Sequence, residues 1–106
     1  MALTRDFRET IQARAQRDSR FRRSLFTEAM NAYLSGDVNA GKAMLRDLVN
    51  ATVGFEDLAS DVNKPSKSLH RMLAPRGNTN TENFFSIVRA LQRRTGVRLR
   101  VTAASV

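Results

Sequence analysis

From Pro65 to Thr79 the chain reads "PSKSLHRMLAPRGNT". The side chains here that can do chemistry are Ser66, Lys67, Ser68, His70 and Arg71, then Arg76, Asn78 and Thr79, with Lys64 just ahead. Hydroxyls, an amide, an imidazole and fixed cations at this density suit hydrogen bonds and ion pairs to a polyanion. Lysine and arginine meet phosphate oxygens or guanine acceptors, and small serines let a backbone approach closely. The same set is poor for catalysis. His70 is the one histidine and there is no cysteine, which excludes disulfides, thiolate metal sites and multi-histidine sites. Asp57 and Asp61 share a helix face, but catalysis by two carboxylates needs a pocket that short helices do not obviously build. "NAGKAM" lacks the second glycine and the Lys-Ser/Thr pair of a phosphate-binding loop. No catalytic residue, metal or cofactor is expected.

The charge agrees with a polyanion partner. The 106 residues carry 18 Lys+Arg against 10 Asp+Glu, a net charge of +8. Residues 51–106 hold nine basic and four acidic groups, and residues 1–50 nine and six, so the excess leans toward the half that contains this stretch. Nucleic acid is the commonest partner for such a balance, and a merely solvated basic surface is the plain alternative. With 42% hydrophobic and 26% charged residues the composition is globular, and the length fits one domain. No apolar run approaches a membrane span, and "MALTRDFRET" has no signal-peptide core, so a cytoplasmic location without membrane contact is expected.

The elements that must position these side chains read as helices. Asp6 and Glu9 have capping-box spacing ahead of Phe7, Ile11 and Ala15, a face that runs to about Arg17. Asp18 is an N-cap for a helix carrying Phe21, Leu25, Ala29, Ala32 and Tyr33, and Gly36 stops it. Asp37 restarts the chain into the apolar stripe Gly41, Met44, Leu45, Leu48 and Val49, which Thr52 to Gly54 interrupt. Phe55, Leu58, Ala59 and Val62 fall at i, i+3, i+4 and i+7. Asn63 tolerates positive φ, and Pro65 fits a helix start but not a helix interior. Leu69, Met72 and Leu73 then face inward, while Lys67, His70 and Arg71 lie opposite. Pro75 and Gly77 end that helix. Thr79 and Glu82 make a second capping box for a helix burying Phe84, Ile87, Val88 and Leu91, with Phe85 also read as core, and Gly96 closes it.

Two short amphipathic helices joined by a tight turn make a helix-turn-helix, whose second helix can lie in the DNA major groove with its first residues toward base edges. Arg76, Asn78 and Thr79 suit backbone phosphates, which position such a module without reading sequence. An ordinary helix pair with a solvated basic face has the same spacing.

The segments "SGDVNAGKAMLRDLVNATVGFEDLA", "PSKSLHRML" and "NFFSIVRALQRRTGVRLRV" resemble the antidote (antitoxin) component of bacterial addiction modules of the host-inhibition-of-growth type. The resemblance runs from about Thr4 to Val101. Val49 to Leu91 is also similar to the lambda-repressor-like domain in general. The resemblance implies a cytoplasmic dimer that binds its own operator and pairs with a RelE-like messenger-RNA-cleaving toxin, with Ser66, Lys67, Ser68, His70 and Arg71 at recognition positions. Three positions depart from the pattern. Asn63 stands where glycine is usual, Lys64 where an apolar residue follows it, and Thr79 where proline is expected.

At the C-terminus, Val97, Leu99 and Val101 alternate with Arg98, Arg100 and Thr102, which is a strand pattern. No second strand of similar quality is present, so the backbone groups need a partner. Pairing with the same strand of a second copy gives a two-fold dimer suited to a pseudo-palindromic operator, and adding to a partner's sheet is the other solution. A frayed tail is the bland one. The self-paired strand is the reading adopted, with Val97, Leu99 and Val101 at the dimer contact.

The expected architecture is therefore a single all-α domain over 1–106: a five-helix lambda-repressor-like helix-turn-helix unit with a short C-terminal strand. Residues 6–35 form an N-terminal helical hairpin, 37–95 the helix-turn-helix core and 97–103 the strand. The expected function is sequence-specific repression as an autoregulatory antitoxin. A stand-alone regulator without a toxin, or a helical protein-interaction module that ignores DNA, are the rivals.

Overall fold

The computed structural model describes the backbone of residues 5–106 and the side chains of residues 6, 7 and 9–106; residues 1–4, where "MALTRDFRET" and the resemblance begin, lie outside it. The described chain is all helix and connecting segment, in the order α1 (Arg5–Arg17), α2 (Ser19–Leu34), α3 (Val38–Ala51), α4 (Phe55–Asp61), α5 (Ser66–Met72) and α6 (Thr81–Thr95). This is one helix more than the five expected, because the chain breaks at Asp18 and again between Asp61 and Ser66, leaving α1, α2, α4 and α5 as separate helices. Asp18 leaves helical geometry at φ −123°, ψ 104° and its carboxylate accepts from the amides of Arg20 and Phe21 at 3.0 and 3.2 Å. These bonds, Phe21's first, hold its pKa below the ordinary carboxylate value. Asp37 caps α3 through the Ala40 amide at 3.2 Å.

Two expected caps differ. Asp6 lies inside the first turn of α1, so it does not cap it. Ahead of α6 the cap is Asn80, not Thr79: its side-chain oxygen accepts from the Asn83 amide at 2.8 Å. Asparagine one residue later satisfies the same orphan amide from a better position.

The core is one cluster. Helix α3 runs through its middle with Leu45, Leu48 and Val49 fully buried, met by Phe26 and Ala29 from α2, Leu58 from α4, Leu69 and Leu73 from α5 and its C-cap, and Ile87 and Leu91 from α6. Helix α3 makes its most extensive contact with α2. At Gly41 a Cβ would come within 2.6 Å of the Tyr33 ring, so this glycine permits that approach. Tyr33 in turn packs on Phe84 with ring centroids 4.7 Å apart, and burial pushes its pKa up to about 12. Helix α1 packs on both α3 and α2, with Ala15 fully buried; it is tied to α2 by the Arg14 guanidinium 4.6 Å above the Phe21 ring and by the Arg22 guanidinium, which donates to Ala15 O at 2.8 Å. Phe7, expected on the buried face, is 51% exposed. Phe85, expected in the core, is 54% exposed: it follows Phe84 by one position, 100° around the helix, and only one of the two can face α2 and α3.

No strand forms among the described residues. Within one chain the segment after Gly96 has no second strand to meet. Two of its amides are taken instead by side chains: Leu99 N–H donates to Gln92 Oε1 at 2.9 Å and Val97 N–H to Thr95 Oγ1 at 3.3 Å. The expected alternation survives in part, with Val97 and Leu99 packed on the core and Arg98 and Arg100 exposed, but Val101 is 85% exposed.

Candidate nucleic-acid interface

The turn between α4 and α5 explains how a short helix is set out from the body. Asn63 has φ 56°, the left-handed conformation that asparagine tolerates better than most residues. Its amide bonds to Ser60 O at 3.2 Å and the Lys64 amide to Ala59 O at 3.0 Å, which is the paired pattern of a Schellman close. The departure at Lys64 therefore leaves the turn intact: its backbone completes the close while its side chain is half-buried. Pro65, at φ −62° and ψ 143°, then takes the N-cap position of α5, and its carbonyl accepts from the Ser68 amide at 3.0 Å. Proline there costs nothing, because the missing N–H has no helical partner to lose.

Helix α5 is amphipathic in the expected sense. Leu69 and Leu73 are fully buried, worth about 1.5–3 kcal/mol each by area alone. Lys67 and Arg71, one turn apart, are exposed. The stretch 62–81 holds Lys64, Lys67, Arg71 and Arg76 and no Asp or Glu, so α5 and the loop after it contribute cations alone.

The remaining named residues are placed unevenly. Ser66 Oγ donates to Glu56 Oε1 at 3.0 Å, which ties the first turn of α5 to the first turn of α4 and commits this hydroxyl's proton inside the protein. Ser68 is half-buried. His70 does not simply face solvent: its ring stacks on Phe55, centroids 3.9 Å apart and planes 17° from parallel, so the imidazole covers a core aromatic with one face and leaves its other face and edge outward. Arg76 and Asn78 are exposed, and Thr79 is half-buried with its hydroxyl donating to Asn80 O at 3.2 Å.

The loop that carries Arg76, Asn78 and Thr79 is held by contacts the sequence reading missed. Lys42, only 8% exposed, donates from Nζ to Gly77 O at 2.6 Å. One turn along α3, the Arg46 guanidinium donates to Leu73 O. Two cations from the central helix thus grip the carbonyls at the end of α5 and in the loop beyond. Gly77 lies so close to the last turn of α5 that a Cβ on it would overlap the Arg71 carbonyl oxygen and sit 2.7 Å from its carbon. The loop is thereby folded against α5, beside Arg71. A lysine and an arginine at i, i+4 within the apolar stripe of α3 were the available signal, since a long cation in a buried row needs acceptors.

Helix α4 is fixed from the other side by α6. Arg94 binds Asp61 through two parallel bonds, Nε to Oδ2 at 2.7 Å and one terminal nitrogen to Oδ1 at 2.8 Å. The guanidinium bonds hold the Asp61 carboxyl below its ordinary value of 3.8, and the carboxylate raises Arg94 in return. No helix among the described residues is long and apolar enough to cross a membrane. Searched against family models, curated proteins and solved structures, the chain matches none.

Proposed function

We propose that this chain is a sequence-specific DNA-binding repressor. Helix α5 enters the major groove, Lys67 and Arg71 contact base edges or the phosphates flanking them, and Arg76 and Asn78 contact the backbone. The observation that carries the reading is the pairing of Lys67 and Arg71, both exposed and one turn apart, on a short helix whose leucines are fully buried and whose surroundings from 62 to 81 carry no carboxylate. A solvated basic face needs no such support. Here Asp61–Arg94, Lys42–Gly77 and Ser66–Glu56 all stiffen the frame around that helix. Ser66 then contributes by helix placement and through its oxygen lone pairs, and His70 presents the ring face and edge left free by Phe55.

The finer reading, an autoregulatory antitoxin that neutralises a RelE-like toxin in the cytoplasm, rests on the resemblance of the three quoted segments. Two copies on a pseudo-palindromic operator are the arrangement that half-sites one helical turn apart require. The test is a mobility shift with the DNA upstream of the chain's own reading frame, alone and with the product of the adjoining frame. Binding to that DNA, strengthened or released by the neighbouring product, supports both levels. Binding indifferent to the neighbour leaves a stand-alone repressor, and absence of binding removes the proposal.

A further inference from the structure

A groove of about 600 Å³ lies between α2, α6 and the segment after Gly96, far in character from the basic face of α5. Its apolar lining includes Met30, Leu34, Phe85, Val88 and Leu99, of which Leu34 is 73% and Phe85 54% exposed. Exposed apolar side chains gathered in one concavity and bordered by charge mark an interaction surface. Three arginines also line the groove, Arg23, Arg98 and Arg100, and no carboxylate does. None of the three has an ion-pair partner among the described residues.

The segment beside the groove offers backbone as well. Val97 and Leu99 turn their side chains to the core and their amides to Thr95 and Gln92. The amides of Arg98 and Arg100 have no hydrogen-bond acceptor among the described residues. Burial alternates from Val97 to Arg100 as it does in an extended segment, where successive amides point to opposite edges; on that alternation one edge is occupied by the protein's own side chains and the other is open.

A second copy fits this edge poorly. In an antiparallel pair, opposing residues share a face. Centring two copies on Leu99 sets Arg98 against Arg100 twice, and centring on either arginine sets it against itself; centring on Val101 avoids the clash by setting Arg100 opposite Thr102 and Arg98 opposite Ala104, which leaves both arginines without a countercharge. Shifting by one residue puts arginine opposite valine or leucine. Like charges directly opposite are destabilising, and opposite charges are favourable.

We propose that this groove and its open edge bind an extended segment of another protein in which apolar residues alternate with acidic ones. The apolar side chains fill the hollow over Phe85 and Leu34, the carboxylates stand opposite Arg98 and Arg100, and the partner's backbone pairs with the free amides. The proposal stands apart from the DNA reading.

The test uses the full chain and two labelled peptides, TVEVEVT and TVKVKVT, followed by fluorescence anisotropy and by amide hydrogen exchange. The acidic peptide should bind about tenfold or more tightly than the basic one and slow exchange at Arg98 and Arg100. In the double variant R98E/R100E, both positions exposed, the preference should reverse. Equal binding of the two peptides, or binding of neither, overturns the proposal. So does slow exchange at these amides in a peptide-free homodimer, which would make a second copy the occupant. Loss of operator binding in R98E/R100E with no peptide bound would give the arginines to the duplex and overturn it equally.

Discussion

Gly77→Ala is the perturbation with the largest expected reach for its size. A methyl at Gly77 overlaps the Arg71 carbonyl oxygen and lies 2.7 Å from its carbon, both backbone atoms, so the loop itself must move rather than a flexible side chain. That movement pulls Gly77 O from Lys42 Nζ, now at 2.6 Å, and Gly77 N–H from Ala74 O, now at 2.9 Å. A hydrogen bond to a charged group is worth about 1.5–3 kcal/mol net and a neutral one about 0.5–1.5. The two together put the cost at about 2–4 kcal/mol. For a domain of this size about 1 kcal/mol moves Tm by about 4 °C, so circular dichroism should show Gly77→Ala melting about 8–16 °C below the parent. Lys42→Met isolates the first bond: it should melt lower than the parent by roughly half as much, partly offset because methionine fills the buried site without a charge to desolvate. A Gly77→Ala protein within about 2 °C of the parent would show that the loop is not folded against α5 as described, and the positioning argument for Arg76 and Asn78 would fall with it.

Two further outcomes follow from the electrostatics. The Asp61 carboxyl is held below its ordinary value by Arg94, so its contribution is present above the unfolded value and is lost as pH falls through the lower folded one. The stability difference between the parent and Asp61→Asn, measured by urea unfolding, should be constant above about pH 5 and shrink toward zero as the solution is acidified through the carboxylate range; a difference that grew on acidification would contradict the pairing. DNA affinity should fall with salt, log K dropping by roughly 0.9 per phosphate neutralised, and Arg76→Ala should lower that slope by about one; a salt-independent affinity would remove the phosphate contacts.

The parts of this architecture visible in the sequence are those set by neighbours a few residues away. Asp18, Asp37 and Asn63 act within one turn of themselves, and the stops at Gly36, Gly54 and Gly96 need only local backbone freedom, so the helix breaks could be read directly. The buried leucines of α5 were legible from their spacing alone. What was not legible depends on packing partners distant in the chain. Lys42 and Gly77 are 35 residues apart, Asp61 and Arg94 are 33 apart; a lysine in an apolar stripe signals that it needs an acceptor, but nothing local says which acceptor it meets. Phe84 and Phe85 are identical in type, and it is Phe84 that packs on the core and on the Tyr33 ring, both distant in the chain. His70 is exposed, as its basic stripe implies, and what its surroundings in sequence do not show is that one face of its ring stacks on Phe55, fifteen residues earlier. The segment after Gly96 has a strand's alternation without a strand's partner, since pairing is a property of two segments and only one is in this chain.

Whether α5 reads a duplex with Lys67 and Arg71 is decided by equilibrium binding of the parent, Lys67→Ala and Arg71→Ala to two duplexes: the DNA upstream of the chain's own reading frame and a scrambled duplex of equal length. The parent should prefer its own DNA by about a thousandfold or more. At least one alanine variant should lose about 1–3 kcal/mol on that DNA, roughly 5- to 160-fold, with a smaller loss on the scrambled duplex. Equal affinity of the parent for the two duplexes, or equal losses on both in each variant, would contradict the account.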